Sequence, residues 1–352
     1  MTDSADPVEE IRLTTLTSAR GANFWSTRPV TRMDVGVGAF EHISSADAPG
    51  FTDRLVSALP GLNGHECSIG EPGGFVIRLR RGTYAPHIIE HVALELQTMI
   101  GHDVRFGRTR GGDVPGEYTL VFEHRHEGVG LRAAALALEI VRRAFAATLE
   151  PSDVAAAVRE LAALARTPDA PPLAQRVVAA VTGGIGRAEC VALLDARLHA
   201  DDATLIVDVA PSFILQAGLP YARSAFAVIL DARPNDVPAR YQEPERARRL
   251  VGTVIDAVPR GGFIICPADE PELLDEARRE GCLVAAFGTT ADIDERALEV
   301  ATAVGRVRDD VIWLDHCGDA ESGGPLRVDI PVAAQVAAAL AAYVRRGTAA
   351  TR

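Results

Sequence analysis

His87, Glu90 and His91 stand in the order H-x-x-E-H inside the segment Tyr84-Ala-Pro-His-Ile-Ile-Glu-His-Val-Ala-Leu-Glu-Leu-Gln97. On a helix, residues four apart lie on one face a turn apart, so both imidazoles can reach a single divalent cation. Glu90, one residue before His91, sits beside that face, where a carboxylate can take a proton from a bound water. The competing reading is an amphipathic helix whose two histidines are ordinary polar residues. A hydrolytic zinc site needs a third protein ligand and leaves its fourth position to water. Glu123, late in a strand and followed by His124 and His126, is the expected third ligand. His65 and Cys67, in a glycine-bounded loop, are the alternatives. Glu95 follows His87 by two turns, about 12 Å of rise, too far for one helix to bring both to one ion. It reads instead as a partner that orients His91. Arg78, Arg80, Arg108 and Arg110 are candidate substrate-binding residues, able to clamp carboxylates bidentately.

The elements that must hold these residues alternate along the chain. Strands are expected near Ile11–Thr17 and Arg32–Val37, then a helix from about Phe51 to Leu59. A strand, Gly74–Arg80, leads into the motif helix, about Ala85–Ile100. Strands Asp103–Arg108 and Glu117–Glu123 and a helix Val129–Ala146 follow. A second helical stretch, Glu150–Arg166, carries a Ser152 cap. Thr167-Pro-Asp-Ala-Pro-Pro-Leu173 is a proline-rich joint. The expected division is therefore an α+β sandwich domain over 1–166, a linker over 167–174 and a second domain over 175–352. In that second half, Arg176–Thr182, Thr204–Val209, Ala225–Leu230, Gly262–Cys266, Leu283–Phe287 and Asp310–Leu314 read as buried, mostly parallel strands. Helices Arg187–Leu198, Glu243–Val258, Glu270–Glu280 and Val332–Arg345 lie between them, as in an open doubly wound α/β sheet.

The first of those strands runs into Gly183-Gly-Ile-Gly186 and a helix. Such a turn either brings backbone N–H groups to a phosphate or needs glycine only for its dihedrals. Gly186, Arg187 and Ala188 stand where a working phosphate loop has G-K-[ST], so no lysine and no hydroxyl for Mg²⁺ is present. ATP and Mg²⁺ are not expected as cofactors.

Composition narrows the class. All 36 basic residues are arginine, which excludes Schiff-base and other lysine-dependent chemistry. Net charge is −12, unlike a nucleic-acid coat or a polybasic membrane anchor. No apolar run approaches the length of a membrane helix, and the acidic N-terminus is unlike a signal peptide. Five scattered cysteines without a C-x-x-C pair suit a reducing cytoplasm better than a disulfide framework. Seven of the nine histidines precede residue 127, which assigns imidazole chemistry to the first half.

The first half resembles the N-terminal domain of cyanophycin synthetase. The resemblance runs through Arg20-Gly21 with Asn23, Trp25 and Ser26; Pro49-Gly50-Phe51; Leu59-Pro60; His65 with Cys67-Ser68; Gly73-Gly74-Phe75; Gly82-Thr83; His87 to Gln97; and Phe106-Gly107-Arg108-Thr109-Arg110. It implies a metal-dependent endo-hydrolase of the inverzincin type acting on cyanophycin, with His87, Glu90 and His91 as its motif. A Zn²⁺ cofactor and a cyanophycin-like or other arginine-rich peptide partner follow from it. The second half resembles the central domain of a Mur ligase. Val181 to Arg187 stands at its ATP loop, Asp208 at its magnesium-binding acid and Ala268-Asp269-Glu270-Pro271 at a segment near the nucleotide. Pro211-Ser212-Phe213 departs from the family, and neither an ATP-grasp domain nor a C-terminal Mur domain is expected. The resemblance thus implies an inactive Mur-like domain joined to a cytoplasmic zinc endopeptidase, with a homo-dimer as the expected assembly. The rivals are a polymer-binding or regulatory pseudoenzyme, and an ATP-dependent ligase of altered chemistry using Arg187 and Asp208.

Overall fold

The computed structural model describes residues 5–169, 177–198, 205–293, 295–316 and 318–350. The chain divides into two compact units, 1–20 with 25–171 and 21–24 with 172–352. Most of the expected 167–174 linker lies outside the described residues.

The first unit is built on an antiparallel sheet. Its strands are β1 (Arg12–Ala19), β2 (Val30–Gly36), β3 (Gly107–Gly111) and β4 (Glu117–Glu123), in the order β1-β2-β4-β3, which leaves β3 at an edge. Its helices are α1 (Pro7–Glu10), α2 (Phe51–Ala58), α3 (Gly74–Arg81), α4 (Ala85–Met99), α5 (Glu127–Phe145) and α6 (Pro151–Leu164). Helix α4 packs on β3 and β4, α5 on β1 and β2, and the two helices pack on each other. One apolar core fills the space between, from Met33, Val35, Leu120 and Phe122 of the sheet to Ile89, Val92, Ala133 and Val141 of the helices.

Three expectations change here. Gly74–Arg80 is not a strand but helix α3. Its buried residues Phe75, Val76 and Leu79 follow helical spacing, and Gly73 and Gly82, both with positive φ, bound it. The apolar–polar alternation of Ile77-Arg-Leu-Arg80 imitated a strand. Strand β3 begins at Gly107, four residues later than expected. Helix α6 is capped by Glu150 in a capping box with Asp153 rather than by Ser152.

The second unit holds a mixed, mostly parallel sheet. Along the chain its elements are β5 (Val177–Thr182), α7 (Arg187–Leu198), β6 (Ile206–Asp208), α8 (Pro211–Ala217), β7 (Ser224–Ile229), α9 (Pro244–Gly252) and β8 (Phe263–Pro267). They continue with α10 (Pro271–Arg279), β9 (Leu283–Phe287), α11 (Glu295–Val300), β10 (Ala303–Arg308), β11 (Val311–His316), β12 (Asp319–Pro325) and α12 (Val332–Ala350). The sheet order is β12-β11-β10-β9-β8-β7-β5-β6. Six strands, β6 to β10 with β5, are parallel; β10, β11 and β12 then form an antiparallel meander. The Asp310–Leu314 run is therefore an antiparallel strand, not a parallel one. Neither β10, with Gly305 inside it, nor β12, which carries Ser322, Gly323 and Gly324, has the unbroken apolar run of its neighbours.

Candidate metal centre

Helix α4 is buried without interruption from Ile88 to Gln97, as a central core helix is. Glu90, His91, Glu95 and Gln97 are therefore buried polar groups, and each must find partners inside the fold. Their partners build the site. Glu95 Oε2 accepts from His65 Nε2 at 3.0 Å, and His65 Nδ1 lies 2.8 Å from His91 Nδ1. With its Nε2 proton given to Glu95, a neutral His65 accepts at Nδ1, so His91 donates from Nδ1. The lone pair of His91 is then left on Nε2, the tautomer a metal ligand needs. Gly61 makes room for this relay, because a Cβ there would lie 1.8 Å from Glu95 Oε1. The ring of Phe75 stacks on that of His91 with centroids 3.8 Å apart and planes 17° from parallel.

His87 meets the loop that contains Cys67. Its Nε2 is 3.2 Å from Cys67 Sγ, and its Nδ1 is 3.6 Å from Glu90 Oε2. One ligand atom each of Cys67, His87 and His91 falls within 4.8 Å of the others, the single such cluster among the described residues. Thiolate and imidazole donors are the set zinc favours, so the residues present fit the ion. Electrostatics favour that fit at Cys67 and His91, whereas at His87 they favour the protonated ring that a metal would have to displace. Burial raises the Cys67 thiol pKa, but the Ser68 backbone N–H and His87 outweigh it, and the thiol lies below its ordinary value. Burial lowers His87, and Glu90 with Cys67 reverses this to a net rise. His91 is pushed down to about 2, by burial first and then by the fields of His87 and Arg78, which keeps it neutral.

Glu90 is pinned beside the cluster. Thr109 Oγ1 of β3 donates to its Oε2 at 2.5 Å, and Gly107 leaves it space, since a Cβ there would lie 2.5 Å from Oε1. The cluster and Glu90 line an open cleft of about 870 Å³, walled by α4, the loop 64–68 and β3. Arg78, Arg105, Arg108 and Arg110 line the same cleft, against two carboxylates, Glu66 and Glu90. Arg78 donates to Ser68 Oγ at 2.7 Å and reaches within 3.9 Å of Cys67 Sγ. Arg80 is exposed and outside the cleft lining.

The structure redistributes the expected ligand roles. Glu123 stands apart from the cluster: its Oε1 accepts from Ser26 Oγ at 2.9 Å, and its Oε2 lies near the backbone N–H groups of Arg105 and Phe106 and the guanidinium of Arg28. Cys67 is instead the third member of the cluster. His65, with both ring nitrogens engaged, bridges rather than ligates, and Glu95 acts on His91 through it. Chain order gave no sign that the loop before α3 folds back over the first turn of α4, because α3 read as a strand. His124 is buried against Thr31 Oγ1 at 3.0 Å, and His126 caps α5.

In the second unit, Gly183 and Asp231 follow the carboxyl ends of β5 and β7. This is where strand order reverses and where open α/β sheets bind ligands. Here the Asp231 carboxylate accepts from the backbone N–H groups of Gly184 at 2.9 Å and Ile185 at 3.3 Å. Arg187 binds Asp208 at 2.8 Å and the carbonyl of Gly183 at 2.5 Å. Donors that would face a phosphate are thus taken by an internal carboxylate, and Arg187 and Asp208 neutralise each other.

Residues 32–146 match the cyanophycin synthase-like N-terminal domain, and every residue of the cluster lies inside that match. Cyanophycin synthetases are similar in this region. That of Trichormus variabilis is 44% identical over 134 residues, 37% of this chain and 15% of the relative. Those of Synechocystis sp. and Crocosphaera subtropica are 45% and 46% identical over the same length. The match thus spans 15% of the length of these synthetases. The first unit carries a cyanophycin synthase-like N-terminal domain. A solved structure of MurF from Acinetobacter baumannii aligns over 49% of this chain and 43% of its own, at 15% identity and a TM-score of 0.31. Among the described residues no helix is long and apolar enough to cross a membrane.

Proposed function

We propose that the first unit is a zinc-dependent hydrolase of peptide bonds in cyanophycin or a related arginine-rich peptide. The observation that carries this reading is the convergence of Cys67, His87 and His91 beside the buried Glu90, in a cleft open to a polymer. Zinc held by those three residues would acidify a water and polarise the scissile carbonyl. The protein's own contribution is positional. Glu90, fixed by Thr109, takes a proton and returns it to the leaving amine. The Glu95–His65 relay holds His91 in the ligating tautomer. Buried walls on α4 exclude solvent from one side of the cleft.

Metal analysis with a cleavage assay tests the reading. Wild type should carry one zinc per chain and fragment cyanophycin in a chelator-sensitive way. Glu90→Gln should keep zinc and lose cleavage, whereas Cys67→Ser should lose both. Cleavage that survives chelation but not alkylation of Cys67 would transfer the chemistry to a Cys67–His87 nucleophile pair.

A second reading, a polymer-binding or regulatory unit without catalysis, is supported by the relatives being named synthetases and by the filled loop of the second unit. Binding of cyanophycin by wild type with neither zinc nor cleavage would select it.

A further inference from the structure

The open edge of β3 runs along the cleft, and its backbone is arranged in a way the cluster alone does not require. Two hydrogen bonds at its ends fix the ladder with β4: Glu123 N–H donates to the carbonyl of Phe106 at 3.0 Å, and Gly112 N–H to that of Glu117. The register between them is unbroken, pairing Gly107 with Phe122 and Gly111 with Tyr118. In an antiparallel ladder, hydrogen-bonded and non-hydrogen-bonded pairs alternate. Phe106, Arg108, Arg110 and Gly112 therefore bond to β4, while Gly107 and Thr109 turn their N–H and C=O groups to the open side. Neither residue's backbone has a partner among the described residues. Both line the cleft, and both flank Glu90.

An edge strand with bare donors and acceptors is an aggregation hazard that folds normally cover or blunt. Here charge blunts it: four arginines line the cleft against two carboxylates, on a chain whose net charge is −12. Arg108 and Arg110 alternate with Gly107 and Thr109 along the same strand. A chain laid on this edge would meet backbone groups at one spacing and guanidinium groups at the next.

We infer that β3 is a substrate-binding strand: an extended peptide bearing carboxylates adds to its free edge, pairing with the backbone of Gly107 and Thr109 beside Glu90. Strand addition takes affinity from main-chain hydrogen bonds and selectivity from alternate side chains. The arginines supply that selectivity here by pairing with carboxylates. The inference deepens the hydrolase reading by naming how its substrate binds, but its test is independent of cleavage.

The probe is a decamer with an aspartate backbone and arginine on each β-carboxyl group, with deca-arginine as the comparison, offered to the Glu90→Gln full-length chain. Amide hydrogen exchange is followed residue by residue. In the free protein Gly107 and Thr109 should exchange fast, while Arg108 and Arg110 are already protected. The aspartate-backbone decamer should slow Gly107 and Thr109 at least tenfold; deca-arginine should not. Thr109→Pro removes one outward N–H without touching the β4 ladder, and relative to Thr109→Val, which loses the same hydroxyl and keeps the N–H, it should weaken decamer binding at least tenfold with the circular dichroism unchanged. If that variant misfolds, the exchange experiment decides alone. Decamer binding with Gly107 and Thr109 still exchanging fast overturns the inference, as does absence of binding or equal protection by deca-arginine. Failure of the hydrolase reading looks different: no zinc-dependent fragments, with the exchange pattern as expected.

Discussion

Gly107→Ala is the sharpest single probe of the site, because it adds one methyl group and removes no donor. The new Cβ would lie 2.5 Å from Glu90 Oε1 and 3.0 Å from both its Cδ and Cγ. Turning the carboxylate relieves only the oxygen; the contact with Cγ remains, so the whole side chain must shift. Glu90 is 4% exposed and cannot swing into water cheaply. The shift breaks the Thr109 hydrogen bond, a bond to a charged acceptor that contributes about 1.5–3 kcal/mol. If that fixation is what aims Glu90, kcat falls by about 10- to 150-fold, at roughly tenfold per 1.36 kcal/mol. The overpacking itself costs about 1–3 kcal/mol of stability, which lowers Tm by about 2–4 °C per kcal/mol for a unit of this size. Zinc content should stay at the wild-type level, since Cys67, His87 and His91 are untouched. Single-turnover cleavage, metal analysis and calorimetry on one preparation give all three readings. Wild-type kcat with an unshifted Tm refutes the reasoning, and loss of zinc would place the effect on the ligands instead of the base.

Two further outcomes are expected. Burial holds His124 at about 4 in the fold, against about 6.5 when unfolded. The unfolded chain therefore binds more protons between those values, and stability is full above pH 6.5 and declines as pH falls toward 4, by about 3 kcal/mol in all. Burial of His91 adds a decline of its own over the same range, so denaturant titrations from pH 7 to 4 should show both, and His124→Gln should make the decline shallower by about 3 kcal/mol without abolishing it. In the second unit, Asp231→Ala strips the loop N–H groups of Gly184 and Ile185 of their acceptor, at a cost of about 1–3 kcal/mol. Calorimetry should show the lower Tm, and added phosphate should raise it in the variant and not in wild type.

The histidine-bearing face of α4 was legible because its signal is local: the four-residue separation of His87 and His91 fixes their common side wherever the helix lies. The alternating layout of the second half was legible for a similar reason, since buried parallel strands such as β8 and β9 are apolar along their whole length. The third member of the cluster was not. Glu123 and Cys67 were both compatible with the motif, and only tertiary folding decides which comes within reach. The decision turned on α3, whose β-branched and alternating residues mimic a strand in isolation but bury Phe75, Val76 and Leu79 as a helix. Reading that segment correctly would have placed the loop at Cys67 one helix away from His87. The role of His65 was equally hidden, because a relay through two imidazoles leaves no spacing rule in the chain.

Phe75 belongs to the oily interior of the first unit and also lies flat against His91. The ring that helps weld α3 to α4 is thus the ring that stops an imidazole from turning. Precision at the histidine cluster is inherited from the apolar core beside it, and a cation arriving there would find one of its donors already aimed. Loosening at that contact would therefore be felt first as poor metal capture, well before the unit melts.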